Sequence, residues 1–137
     1  MSERVFFDTN VLVYADDLDA GAKRDRAQAL LAAALRAGDG VLSTQVLQEF
    51  FVIATRKLGV DPAIARRKVE LLATLDVVKV DVPMILRAVD LHRLHSLSFW
   101  DALVVRAAAS AGCTRLLSED MQHGATFDGV RVENPFA

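Results

Sequence analysis

Val5-Phe6-Phe7-Asp8-Thr9-Asn10-Val11-Leu12 decides how the rest of this chain reads. Three apolar residues, enough for a short buried strand, run straight into an acid and two small polar residues. A second stretch has the same form: Arg115-Leu116-Leu117 leads into Ser118-Glu119-Asp120. Two further acids, Glu49 in Gln48-Glu49-Phe50 and Asp101 after Ser98-Phe99-Trp100, fall in the first turns of predicted helices. In open α/β sheets, ligands bind outside the carboxyl ends of the strands. Four carboxylates gathered at that edge repel one another, and the usual partner for such a set is a hard divalent cation bound through oxygen. Asp8, Glu49, Asp101 and Asp120 therefore point to metal-dependent phosphodiester chemistry.

Working outward, short apolar runs predict strands at Val5–Asp8, Val41–Ser43, Val77–Val80, Arg115–Ser118 and Val130–Val132. Helical periodicity fills the intervals. Ala27, Leu30, Leu31 and Ala34 mark a helix over 23–37, stopped by Gly38. Val46, Phe50, Ile53 and Ala54 mark another over 45–58. Asp61-Pro62 reads as an N-cap followed by the first residue of a helix to about Thr74. Pro83 opens a helix to about His95, and 98–111 forms the last, closed by Gly112. Strands alternating with helices predict a mainly parallel sheet covered on both faces. No Pro/Gly/Ser-rich linker interrupts the pattern, so one domain is expected over residues 1–137.

Composition narrows the function classes. Apolar residues make up 53% of the 137, above the roughly 45–50% of ordinary soluble domains. No apolar run approaches the roughly 18 residues that span a bilayer, and the start carries no secretory pattern. A single cysteine, Cys113, excludes an internal disulfide framework and suits a reducing cytoplasm. It reads as a buried, inert thiol. The three histidines have no zinc-ligand spacing. Net charge is −2, so any nucleic-acid surface must be local. Basic groups occur at Lys23-Arg24 with Arg26, Arg56-Lys57, Arg66-Arg67-Lys68 and His92-Arg93 with His95, patterns that ordinary solvated helix faces also show.

Each acid also has an ordinary structural account. Asp8 fits a cap where strand meets helix, and Glu49 fits a solvated helix flank. Asp101 stands three residues after Ser98, the spacing of a capping box. Asp120 fits a polar loop. What favours chemistry is their collection at one edge.

Taken together, Val5–Leu12, Gln48-Glu49-Phe50, Phe99-Trp100-Asp101-Ala102-Leu103 and Leu117-Ser118-Glu119-Asp120 resemble the PIN domain over nearly the whole chain. The last two segments are most similar to its VapC-type branch, the toxins of type II toxin–antitoxin pairs. That resemblance implies a three-layer α/β/α domain on a five-stranded sheet and an Mg²⁺- or Mn²⁺-dependent ribonuclease. It implies that Asp8, Glu49, Asp101 and Asp120 form the acidic metal site, with Asn10 and Ser118 as supporting polar residues. It further implies an RNA substrate, a cognate antitoxin and a homodimer. Glu119 adjoins Asp120, and the family's hydroxyl-any-acid spacing selects Asp120. Asp16 and Asp17 match no catalytic position and read as solvated loop charges. A haloacid-dehalogenase-like phosphatase needs a second Asp where Asn10 stands. A receiver domain needs a late Lys, and none follows Lys79. A non-catalytic interaction module is the remaining alternative, opposed by the presence of all four acids.

Overall fold

The computed structural model describes residues 3–137. The elements run β1 (Val5–Phe7), α1 (Thr9–Asp16), α2 (Ala22–Ala37), β2 (Gly40–Ser43), α3 (Thr44–Arg56) and α4 (Pro62–Leu72). They continue with β3 (Asp76–Val78), α5 (Val82–His95), α6 (Phe99–Ser110), β4 (Arg115–Leu117), β5 (Thr126–Phe127) and β6 (Val130–Glu133). The sheet order is β3-β2-β1-β4-β6-β5, parallel throughout except where β5 meets β6. Every residue of β1 and β2 is buried, as expected for parallel strands covered on both faces. Helix α1 packs on both α2 and α3, α3 packs on α4, and α5 packs on α6. Right-handed crossovers put these two groups on opposite faces of the sheet. The connections leave β1 towards β2 and β3, then return to β4 on its other side. The order therefore reverses between β1 and β4, and a ligand crevice is expected at their carboxyl ends.

All five predicted strands form, and a sixth joins them. The sheet is thus six-stranded, not five-stranded. The addition, β5, is a two-residue edge strand turned back on β6 through Asp128-Gly129. Those residues take φ of 50° and 79°, the paired positive values of a type I′ hairpin turn, for which Asp-Gly is a preferred sequence. Beyond β1 the chain enters α1 at once, a helix that the strand-to-helix cap at Asp8 anticipates but to which periodicity gives no range. Asp8 caps it by accepting the Thr9 N–H at 2.8 Å. Asp61, Asp81 and Ser98 cap α4, α5 and α6 through their side chains.

The core gathers Phe6, Phe7, Phe50, Leu42, Leu116 and Val105, all essentially inaccessible. Gly40 lets β2 approach α2, since a Cβ there would stand 3.0 Å from the Ala34 Cβ. Cys113 is buried, and burial pushes its thiol up to about 11, consistent with an inert role. No helix among the described residues is long and apolar enough to cross a membrane.

Candidate active site

A pocket of about 270 Å³ opens at the carboxyl edge where β1 and β4 part. Three helices line it along single stripes. From α1 come Asn10, Val13, Tyr14 and, just past its end, Asp17; from α3 come Gln45, Glu49, Ile53 and, one residue beyond, Lys57. These sets are spaced by three and four residues, so each lies on one helix face. Trp100, Asp101 and Val104 face the pocket from α6, and Asp8 and Asp120 close it from the strand ends. All four predicted acids therefore line one pocket. Glu49 stands in the second turn of α3 rather than the first, with Gln45 one turn before it.

The polar residues beside the acids form one network. The Ser118 hydroxyl donates to Asp8 Oδ2 at 2.8 Å and accepts the Asp120 N–H at 3.2 Å. Asn10 Oδ1 accepts the Glu119 N–H at 3.1 Å, which fixes the amide's orientation. Its Nδ2 then donates to Asp120 Oδ2 at 3.0 Å, with Ser118 Oγ and Asp8 Oδ2 farther off at 3.4 and 3.5 Å. Asn10 and Ser118 thus tie α1 to the loop after β4.

Glu119 points elsewhere. Side chains alternate in extended chain, so Ser118 and Asp120 share one side and Glu119 takes the other. Its carboxylate accepts from Lys23 Nζ at 2.9 Å and from the Tyr14 hydroxyl at 3.2 Å. Lys23 also lies over the Tyr14 ring, 5.0 Å from its centroid, and Phe136 packs edge-on against that ring. Asp16 is not the solvated loop charge expected from sequence: it ends α1, partly buried, and pairs with Lys68 at 2.5 Å. Asp17 caps α1 and lines the pocket.

Charge is unfavourable inside the pocket. Asp8 is pushed up to about 6, first by burial and further by Asp101 and Asp120, against the hydrogen bonds from Ser118 and Thr9 that favour its ionised form. Glu49 and Asp101 are raised as well, again chiefly by burial, with repulsion from Asp120 added to both. The mutual repulsion of gathered carboxylates is present, and desolvation is the larger cause. Ser98 accepts the Asp101 N–H at 3.1 Å, so the capping role of this segment is realised, and the same hydroxyl partly offsets the rise at Asp101.

Sequence reasoning assigned no role to Thr9, Gln45 or Tyr14 and named Lys57 only within the Arg56-Lys57 basic group. Thr9 Oγ1 and Gln45 Oε1 are buried without hydrogen-bond partners, and both side chains lie beside Glu49. Helical spacing from Glu49 was the available signal for Gln45 and Lys57. Of the predicted basic groups, only Lys57 reaches the pocket. His123 accepts the Asn134 N–H at 2.9 Å through Nδ1 and stays outside it.

Residues 5–126 match the model of the PIN domain. The chain belongs to the PIN domain family. Solved structures show where this PIN domain's fold recurs. It is similar to Mycobacterium tuberculosis VapC20, described as a sarcin–ricin-loop-cleaving toxin. The TM-score is 0.70 at 21% identity, covering 85% of this chain and 91% of that one. It is similar to a chain of a Klebsiella pneumoniae toxin–antitoxin complex, with TM-score 0.69, 24% identity and coverage of 96% and 97%. A chain of DNA-bound VapBC from Salmonella typhimurium gives 0.70 at 16% identity, with coverage of 98% and 99%. No curated protein shows significant sequence similarity. The PIN-domain sheet therefore carries, at its switch point, a pocket whose acids come from a strand end, two helices and a loop.

Proposed function

We propose that this protein is an Mg²⁺- or Mn²⁺-dependent endoribonuclease and the toxin of a toxin–antitoxin pair. The observation that carries the reading is the gathering of Asp8, Glu49, Asp101 and Asp120 around one pocket at the sheet's switch point. Membership of the PIN family supports it, as do structural neighbours described as VapC toxins and toxin–antitoxin complexes.

The donor set suits such an ion. Its side-chain donors are oxygens, and three acids whose pKa values are raised gain from a positive charge among them. Among the described residues, no three His, Cys, Asp or Glu side chains are drawn together as a closed cation cage. Mg²⁺ does not require one, since it keeps several waters and takes one or two carboxylates plus substrate phosphate. Asp8 and Asp101 would hold it, with Glu49 and Asp120 orienting water or holding a second ion. Such an ion, when bound, brings positive charge against the phosphate and a lowered pKa for water.

The chain's own groups do the rest. Ser118 and Asn10 hold Asp8 and Asp120 in orientation through the hydrogen bonds above. Glu49, half-buried beside Asp101, is placed to take a proton from water attacking the phosphorus. Lys57, the one cation among the pocket's lining residues, is placed to meet a phosphate oxygen.

Partners follow from the surface. Val82, Ile85, Leu86 and Val89 form an exposed apolar stripe on α5, which suits a homodimer contact. An apolar groove holds Leu12, Leu31, Leu35, Leu71 and Leu72 between α1, α2 and α4, and it suits an anchor of the antitoxin.

The deciding test is incubation of the purified protein with RNA in Mg²⁺, in Mn²⁺ and in EDTA. Cleavage in either metal that stops in EDTA supports the reading. Metal-independent cleavage, or none in either metal, overturns it.

A further inference from the structure

We propose that Trp100 is the stacking platform for an unpaired RNA base entering the acidic pocket. This rests on the ribonuclease reading and goes beyond it by assigning a specificity-determining residue. Trp100 is the chain's only tryptophan, and 62% of it is exposed. Tryptophan is highly buried on average, so a ring this open needs a reason. It lines the pocket beside Asp101. Its backbone is held within the first turn of α6, and Gln45 Nε2 approaches its carbonyl at 3.5 Å. Phe99 supports the indole edge-to-face, with centroids 5.2 Å apart and planes at 75°. One aromatic thus braces another, leaving the outer ring free at the rim.

Charge strengthens the case for a base. The pocket's charged lining is acidic apart from Lys57, so beyond the reach of that lysine and a bound cation phosphates find little attraction there. A neutral π-face has no such conflict. Base–aromatic stacking is worth roughly 1–3 kcal/mol and tolerates every base. An A-form duplex keeps its bases stacked on one another, whereas loops and single strands can splay them onto a protein ring.

The only tryptophan is its own reporter. The full chain is titrated, with Ca²⁺ in place of Mg²⁺, against fluorescein-labelled decamers of single-stranded RNA, a duplex, and an abasic strand of equal charge. Anisotropy reads binding and tryptophan emission reads stacking. Single strands should quench the emission through base stacking, and the abasic strand should leave it unchanged. Trp100→Ala should weaken single-strand binding about tenfold or more and raise KM with little change in kcat, and Trp100→Phe should recover most of that loss. Binding without quenching, or equal quenching by the abasic strand, overturns the stacking role alone. Emission that follows protein concentration rather than RNA also overturns it and assigns Trp100 to a contact between copies. Failure of every strand to bind overturns both this role and the ribonuclease reading.

Discussion

Replacing Asp8 with asparagine should make the metal-free protein more stable, although it removes the most buried acid of the site. Asp8 rises from 3.8 to about 6 on folding. Below both values the carboxyl is protonated in either state and causes no difference. Between them the unfolded chain loses its proton first, so stability falls as pH rises, and above about 6 the full loss of ~3 kcal/mol is present. Asparagine carries no charge to desolvate. Its Oδ1 can still accept the Thr9 N–H, but its Nδ2 would face the Ser118 hydroxyl, which now donates to Asp8 Oδ2 at 2.8 Å and can turn to accept, and the Asn10 amide donor at 3.5 Å, which cannot. That mismatch costs ~1 kcal/mol, leaving a net gain of ~2 kcal/mol. For a chain of this size the gain corresponds to a Tm increase of about 6 °C. Calorimetry in EDTA at pH 7.5 should show that rise, and at pH 4 the two proteins should melt within about 2 °C of each other. Adding 10 mM Mg²⁺ (about a physiological excess) should raise the wild-type Tm and leave the variant nearly unmoved. A variant that melts at or below wild type in EDTA at pH 7.5 would refute the claim that Asp8 is held ionised at a cost.

Asp101→Asn keeps the Ser98 cap, because that bond uses the Asp101 backbone N–H; thermal melting should change by about 1 kcal/mol or less while Mg²⁺-dependent RNA cleavage collapses. Near-wild-type cleavage by the folded variant at limiting Mg²⁺ would leave Asp101 as a cap and nothing more. Glu119→Ala removes an ion pair too exposed to contribute much to stability, yet it frees the loop bearing Ser118 and Asp120. Amide exchange at Glu119 and Asp120 should therefore accelerate about tenfold with core amides unchanged, and equal exchange rates would deny the clamp. Gly129→Ala places a side chain at φ 79° in the hairpin turn, and urea unfolding should show a loss of about 1 kcal/mol with cleavage retained. Asp16→Asn breaks the Lys68 pair, and a drop of about 1 kcal/mol or less with unchanged cleavage is expected.

What could be read from the sequence was what periodicity and capping control. Asp61-Pro62 and Ser98 announce helix starts that the structure realises. The alternation that turns Glu119 away from Asp120 is a property of extended chain, so family spacing and physical spacing select the same acid for the pocket. The cap at Asp8 marks where α1 starts, but local propensity gives it no range, because Thr9, Asn10, Val11 and Val13 are poor helix formers. Burial of Val11, Leu12 and Ala15 holds that helix instead, a tertiary effect invisible in a window of residues. β5 was legible in Asp128-Gly129, but two residues of edge strand fall below what an apolar run reveals.

The site divides in the same way. Which acids gather follows from topology, because the reversal of strand order between β1 and β4 brings Asp8 and Asp120 to one crevice. The cause of their raised pKa values does not. Counting charges makes repulsion the main effect, whereas Asp8 sits at a fully covered strand end where loss of water outweighs its acidic neighbours. That ordering has a chemical consequence. A cation entering the pocket relieves repulsion, but it also returns to Asp8 the favourable charge contact that burial removed. Removing Asp101 or Asp120 should therefore lower Asp8 only in part and leave it raised, because burial is the larger cause. The acids of this pocket are shifted less by one another than by the water that each of them loses on burial.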